Sequence, residues 1–261
     1  VIDIDYVTII DYESYISNTN RMSVVQSRKE RERAARERLI LGHAARLLAR
    51  DGFQGLNLDE LAAAVEYSKG TLYLHFKTKE DLVLAAATQA LRCRADLLER
   101  AAAYPGPTRA RARAMGFACC EFMAAHREFF AVELMLQARS FWDRVSEERR
   151  SRHGAEARRV FHLVNQLVLD AWKCGDLPRK CSPEEVTLSL MAITLGSHCA
   201  VTQPVIEALC AIKDPYAALL LHQDRMLDGW GWKPVSDGGR HDALDRRICR
   251  EVFPEAGWCK H

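Results

Sequence analysis

Gly52-Phe53-Gln54-Gly55-Leu56-Asn57-Leu58-Asp59-Glu60-Leu61-Ala62-Ala63-Ala64-Val65-Glu66-Tyr67-Ser68-Lys69-Gly70-Thr71-Leu72-Tyr73-Leu74-His75-Phe76-Lys77-Thr78-Lys79-Glu80-Asp81-Leu82 decides the fold. Asn57 followed by Glu60 is a capping-box pattern, so a short helix starts at Leu58 and runs to about Val65. A tight turn follows, then a second short helix from about Ser68 to His75. Two short helices joined by a three- to four-residue turn make a helix-turn-helix. The second helix opens on Ser68, Lys69, Gly70 and Thr71. Short side chains at a helix N-terminus let the backbone approach a phosphate or a base edge. Tyr73 and His75 add longer donors. Leu72 and Phe76, four apart, can anchor the helix on its neighbours. The same pattern also suits a three-helix packing unit with no DNA role.

Upstream, Leu39/Ile40, Ala44 and Leu47/Leu48 repeat at helical spacing, and Asp51-Gly52 ends that helix, with Gly suited to a left-handed terminus. Residues 1–26 differ in composition, with four acids and no base before Asn20. They read as a disordered leader, or an extension ahead of Met22, with a short edge strand as the minor alternative. Arg28, Lys29, Arg31, Arg33, Arg36 and Arg38, interleaved with Glu30, Glu32 and Glu37, form a basic arm. Such an arm is either a footprint for phosphate or a solvated helix face.

Downstream, Thr78 and Asp81 open a long helix to about Ala103, which Tyr104-Pro105-Gly106-Pro107 breaks. Further helices are expected at about 108–125, 127–139, 141–174, 183–202 and 213–230. Ser182-Pro183-Glu184-Glu185 and Asp214-Pro215 are strong start signals. The expected fold is all-α. A three-helix reader at 27–80 is joined by the long helix to a helical ligand-binding and dimerisation domain at 81–232, with a C-terminal extension at 233–261.

The 261 residues, 48% of them hydrophobic, suffice for two modest domains, and no apolar run is long enough for a membrane span. Net charge is only +2, so the case for nucleic acid rests on charge distribution. Nine cysteines, an odd number without any CxxC spacing, argue for reduced thiols in a cytoplasm. No phosphate loop, HExxH, GxSxG or zinc-ligand spacing occurs, so catalysis, a metal and a cofactor are not expected.

The tract Ser68–Leu82, with Gly52-Phe53 and Leu61-Ala62, resembles the DNA-binding domain of the tetracycline-repressor (TetR) family of bacterial regulators. The resemblance covers roughly residues 36–84. It implies that Ser68, Lys69, Gly70, Thr71, Leu72 and Tyr73 face the major groove. It also implies that Tyr73, His75 and Lys79 bind phosphates and that Asn57 caps its helix near one. A double-stranded operator, a small-molecule effector and a homodimer are the partners it implies. One departure stands out: the family usually has Gly in the turn where this chain has Glu66. If that residue keeps φ > 0, Glu costs roughly 1–2 kcal/mol that Gly would not.

In the second half, Phe117, Cys120, Met123, Phe130, Leu134, Trp142, Phe161, His162, Asn165 and His198 combine bulk with a few polar groups. They are the candidate lining of an apolar ligand pocket, or plain core. Ala192, Gly196 and Ala200 form a small-residue stripe. Tyr216, Leu219/Leu220, Gln223, Met226/Leu227 and Trp230 share a face of the last long helix. These two faces are the candidate dimer interface, or an ordinary intramolecular core. The leading functional reading is a repressor released by a small, largely apolar ligand. A thiol- or metal-responsive regulator, through Cys119-Cys120 or His198-Cys199, is the alternative. An enzyme or a non-DNA interaction protein ranks behind both.

Overall fold

A computed structural model describes residues 28–203, 205, 206, 209, 212–236 and 241–260. Among these residues every regular element is helical. Two compact units divide the chain, residues 1–39 and 40–261. In the first, the run from Arg28 is helical and largely exposed, and Arg28 Nε lies 2.8 Å from Glu32 Oε1 one turn on. The expected leader, residues 1–26, lies outside the described residues.

The helix α1 spans Arg28–Gly55 and is broken at Gly52, where φ is 70° and ψ −178°. The break expected at Asp51-Gly52 is therefore present. Its ψ is extended rather than left-handed helical, a region essentially confined to glycine. Helix α2 (Leu58–Ala64) starts at Asn57, whose side chain accepts from the Asp59 and Glu60 amides at 2.8 and 3.4 Å. Helix α3 (Lys69–His75) starts at Ser68, whose Oγ accepts from the Thr71 amide at 3.2 Å. In the turn between them Glu66 has φ 57°, so the carboxylate residue does occupy the left-handed conformation.

Helix α4 (Lys79–Ala102), capped by Thr78, is shared by two apolar clusters. Its first half, Leu82 to Ala87, packs with Ile40, Leu48, Leu61, Leu72 and Phe76 beneath the reader, together with Val132, Phe141 and Val145. Its second half, with Ala95, Leu98 and Ala101, packs into a larger cluster containing Phe122, Leu167, Leu219 and Trp232.

Helix α5 (Thr108–Ala125) has the expected bounds, and α6 (Arg127–Leu134) gives way to a 3-10 turn, Met135–Gln137. The helix expected over 141–174 is interrupted. Short α7 (Arg139–Trp142) and long α8 (Glu147–Cys174) are separated by a turn whose Ser146 amide donates to Asp81 Oδ1 at 2.8 Å. Neither Gly nor Pro marks that break, because a tertiary contact creates it. Helices α9 (Pro183–Thr202) and α10 (Pro215–Gly229) start at Ser182 and Asp214.

Beyond α10 the chain folds back. Helix α11 (Asp242–Glu251) and the residues after it place Ile248 and Phe253 in the large cluster. Trp258 lies against Phe117 and Tyr216, at ring-centre distances of 5.2 and 5.0 Å. Arg113 on α5 pairs with Asp224 on α10 and, at 2.7 Å, with Asp245 on α11. Arg109 lies 2.7 Å from Asp228 and donates to the Trp232 carbonyl at 3.0 Å. Buried ion pairs cost desolvation, so the work of holding the extension falls mainly on the apolar anchors.

The cysteine expectation needs one correction. Cys93, Cys119, Cys120, Cys174, Cys181 and Cys199 are free, but Cys249 is disulfide-bonded.

Candidate functional sites

The reader surface is built by caps and one anchor. Ser68 fixes the start of α3 and also shares a hydrogen bond with Thr71 Oγ1 at 2.9 Å. Leu72 turns inward and is 3% exposed. The expectation that Leu72 faces DNA is thus corrected: it is the anchor that sets the helix angle. Ser68, Lys69, Gly70, Tyr73, Leu74 and Lys77 are exposed, and Thr71 and His75 partly so. Leu74, 80% exposed on this helix, was not a sequence candidate. Only its apolar character in a polar-facing position could have flagged it, since an exposed methyl surface suits a thymine methyl group.

The basic groups have local partners. Lys69 Nζ lies 3.0 Å from Asp59 Oδ2, and that hydrogen bond raises its pKa. Lys79 Nζ donates to the Gln54 carbonyl at 3.3 Å and lies 5.0 Å from the Phe53 ring centre. Both contacts are exposed or half-exposed, so either lysine can turn to a phosphate at little cost.

The second site is a cavity between helices that opens along α9, where the exposed Leu188, Met191, Ala192 and Leu195 belong to its lining. The cavity, of about 480 Å³, is bounded by α4, α5, α6, α8, α9 and α10. Its walls are mostly aliphatic, from Leu98, Met115, Val160, Val164, Leu167 and Leu190. Arg94, Glu133, Thr194, His198 and Gln223 supply the polar part of the lining. Arg94 Nη2 lies 2.7 Å from Glu133 Oε2, and its guanidinium is 4.4 Å from the Phe122 ring centre. Burial pushes the Glu133 carboxyl up, against the pull of Arg94. Burial, helped by Arg94, holds His198 down to about 3, while a hydrogen bond to the Cys119 backbone opposes the shift.

Of the ten candidate lining residues only His198 borders this cavity. The other nine are corrected as follows. Phe117 is covered by Trp258, and the Cys120 thiol points to the Tyr216 carbonyl at 3.8 Å. Met123 is buried core, and Leu134 packs against that core. Phe130 lies against His198 with ring centres 4.4 Å apart and planes tilted by 52°. Trp142 belongs to the reader-side cluster and donates to the Leu136 carbonyl at 2.9 Å. On α8, Val160, Val164 and Leu167 form the cavity stripe, and helical periodicity turns Phe161, His162 and Asn165 off it. Phe161 is 41% exposed, and Asn165 Oδ1 accepts from Thr187 Oγ1 at 3.1 Å. The signal missed was aliphatic: Val160, Val164 and Leu167 on α8 and Leu188, Leu190 and Leu195 on α9 line the cavity.

The α10 face proposed for a dimer is corrected too. Leu219, Leu220, Gln223 and Leu227 are buried within the chain. The exposed side carries Ala217, Leu221, His222 and Arg225 instead. On α9, Ala192 and Gly196 are exposed, together with Leu188, Met191 and Leu195. Among the described residues no three His, Cys, Asp or Glu side chains come together to hold a metal, and no helix is long and apolar enough to cross a membrane.

Residues 40–86 match the family model described as bacterial regulatory proteins, tetR family. The chain carries a tetR-family reader domain. A 47-residue stretch is 45% identical to an uncharacterized HTH-type transcriptional regulator, YerO, of Bacillus subtilis (strain 168). That stretch is 18% of this chain and only 16% of the relative. Beyond the tetR-family reader the likeness is one of fold. A tetR-family regulatory protein from Rhodococcus RHA1 superposes with TM-score 0.60 at 18% identity, over 76% of this chain and 97% of that one. FadR of Bacillus subtilis, solved in complex with stearoyl-CoA, does so with TM-score 0.57 at 13% identity, over 72% and 94%.

Proposed function

We propose that the chain is a homodimeric DNA-binding transcriptional repressor, released from its operator when a small, largely apolar molecule enters the cavity between the helices. One observation carries the reading. Helix α4 contributes Leu82–Ala87 to the reader core and Arg94 and Leu98 to the cavity wall, so one rigid element joins the two sites. A ligand acts on DNA only if it binds the DNA-incompetent arrangement more tightly, and α4 is a means for that preference to be felt at α3. Ser68, Lys69, Gly70, Thr71 and Tyr73 read the groove or its edges, and Asn57, His75 and Lys79 serve the phosphate backbone. The FadR neighbour, solved with stearoyl-CoA, is a precedent for an effector with a long aliphatic chain, carried there on a charged coenzyme A head.

A helix-turn-helix reader needs two half-sites, which supports a dimer through the exposed faces of α9 and α10. DNA as partner puts the protein in the cytoplasm. The thiol-sensing alternative loses ground physically: burial pushes the Cys119 and Cys120 thiols up, away from the reactive thiolate.

The test is selection of bound duplexes from a random pool with the full chain. The expected product is a pseudo-palindrome with half-sites about one helical turn, roughly 34–36 Å, apart or a multiple of it. Replacing Lys79 by Ala should flatten the salt slope by about one unit on every sequence. Enrichment of no sequence, with no salt-dependent binding, would end the reading.

A further inference from the structure

We propose, resting on the effector-cavity reading above, that the cavity selects an uncharged amphiphile: an aliphatic body with a hydroxyl-type head that both donates and accepts hydrogen bonds at the Arg94–Glu133 pair. Arg94 and Glu133 face each other at 2.7 Å, with side chains only 15% and 13% exposed. The pair is neutral as a unit, and the rest of the wall is dominated by aliphatic carbon. A ligand carboxylate would meet Glu133, and a ligand ammonium would meet Arg94. Either would bring an unmatched charge into a site of low dielectric, where an ion without a counter-ion is strongly disfavoured.

Hydrogen-bond inventory sharpens the choice. Arg94 Nε and Glu133 Oε1 are both buried and have no hydrogen-bond partner. One is a donor and the other an acceptor. A hydroxyl offers an acceptor to the first and a proton to the second, a carboxylate offers acceptors only, and an ammonium offers donors only. A further acceptor stands apart from the pair. Gln223 Nε2 donates to the Ala112 carbonyl at 2.8 Å, which leaves its buried Oε1 unpartnered beside Gly116. No second buried cation accompanies it on α10, so it adds a preference for a proton donor on the ligand body and none for an anion.

The titrating neighbours add no charge of their own. Burial keeps the His198 ring neutral, with its pKa held down to about 3, and keeps the Cys119 thiol protonated.

The test compares decan-1-ol, decanoate and decylammonium, each below its micelle concentration, by calorimetry on the full chain at pH 7. The alcohol should bind at least 10-fold more tightly than either ion. Glu133→Gln should shift the preference towards decanoate by 10-fold or more, and Arg94→Gln should shift it towards decylammonium. Leu195, which borders the cavity and is part-exposed, gives a variant less prone to misfolding, and Leu195→Trp should weaken alcohol binding by at least 10-fold. Either ion binding the unmodified protein as tightly as the alcohol overturns the proposal, as does binding of none of the three or alcohol binding indifferent to Leu195→Trp. Release of a selected operator duplex, followed in parallel, separates the two readings. A charged decyl ligand that binds and releases DNA sinks the uncharged-head inference and leaves the effector cavity standing. Loss of operator binding in the ligand-free protein sinks the regulator reading itself.

Discussion

Arg149, in the first turn of α8, donates from Nη2 to the main-chain carbonyl of His75, the last residue of the reader helix, at 2.9 Å. Its guanidinium also lies 5.0 Å from the Phe76 ring centre. The clasp is reinforced nearby by the Ser146 amide on Asp81 and by Thr78 Oγ1 on the Arg144 carbonyl at 3.4 Å. Farther along α8, Val160, Val164 and Leu167 line the cavity. The reader is thus held from the cavity side by α8 as well as by α4. Two helices that share both ends can transmit a relative shift, whereas a single helix transmits only its own displacement.

Arg149→Ala should therefore weaken communication more than binding. Ligand-free operator affinity is expected to change little. The fold-loss of affinity on adding ligand should shrink by about 0.5–2 kcal/mol of coupling. Operator titrations with and without effector measure this directly, and an unchanged ratio would leave α4 as the sole carrier.

Leu72 and Leu74, two apart on α3, should behave oppositely. Leu72 is buried beneath the reader, so Leu72→Ala leaves a cavity and should cost about 2–5 kcal/mol in denaturant unfolding. Leu74 projects into solvent, so Leu74→Ala should leave stability within about 0.5 kcal/mol. It should instead alter base preference in duplex selection. Equal stability losses at the two positions would contradict this assignment of faces.

Much of the reader was legible because its signals are local. Asn57, Ser68 and Thr78 cap through side chains acting on amides two or three residues on, and a sequence displays such spacing directly. Glu66 adopts the positive φ that its place in the turn demands, against its own preference. The cavity was not legible, since its wall draws on six helices far apart in the chain. Aromatic bulk misled: Phe117, Phe130 and Trp142 fill contacts with the extension, with His198 and with the reader core, while valine and leucine stripes enclose the space. The turn at 143–146 escaped for the same reason, because Asp81 on another helix creates it.

Acid should destabilise the protein through its buried histidines. Burial lowers His153 to about 4 and His198 to about 3, both from 6.5. The unfolded chain therefore binds these protons first as pH falls. Stability from both rings is complete above about pH 6.5 and is lost between there and the folded values. At pH 5 each contributes a loss of about 2 kcal/mol, from roughly 1.4 kcal/mol per unit of separation. Urea unfolding at pH 7.5 and 5 should show the loss, and His153→Leu should remove about half of it. His153 is the better probe because it touches Thr88 and Trp142 rather than the cavity. A pH dependence identical in His153→Leu would mean that the ring titrates alike in the folded and unfolded chains and that burial does not hold it down.

The C-terminal extension should prove part of the fold rather than an appendage. Arg113 sits between Asp224 of α10 and Asp245 of α11, its side chain 10% exposed. Removing one member of a buried network strands the others, so Arg113→Ala should cost about 3–5 kcal/mol. Asp245→Ala should cost less, because Asp224 still partners Arg113 and the exposure of Asp245 is greater. The two losses should not add. With Arg113 absent, Asp245 has lost the guanidinium that holds it, and the double variant should recover on the order of 0.5–3 kcal/mol relative to the sum. Strict additivity would mean that α11 is held by Ile248 and Phe253 alone and that the Arg113–Asp245 pair is incidental. A coupling term in that range, together with intact operator binding, would assign the extension to the scaffold that positions α5 and α10 around the cavity.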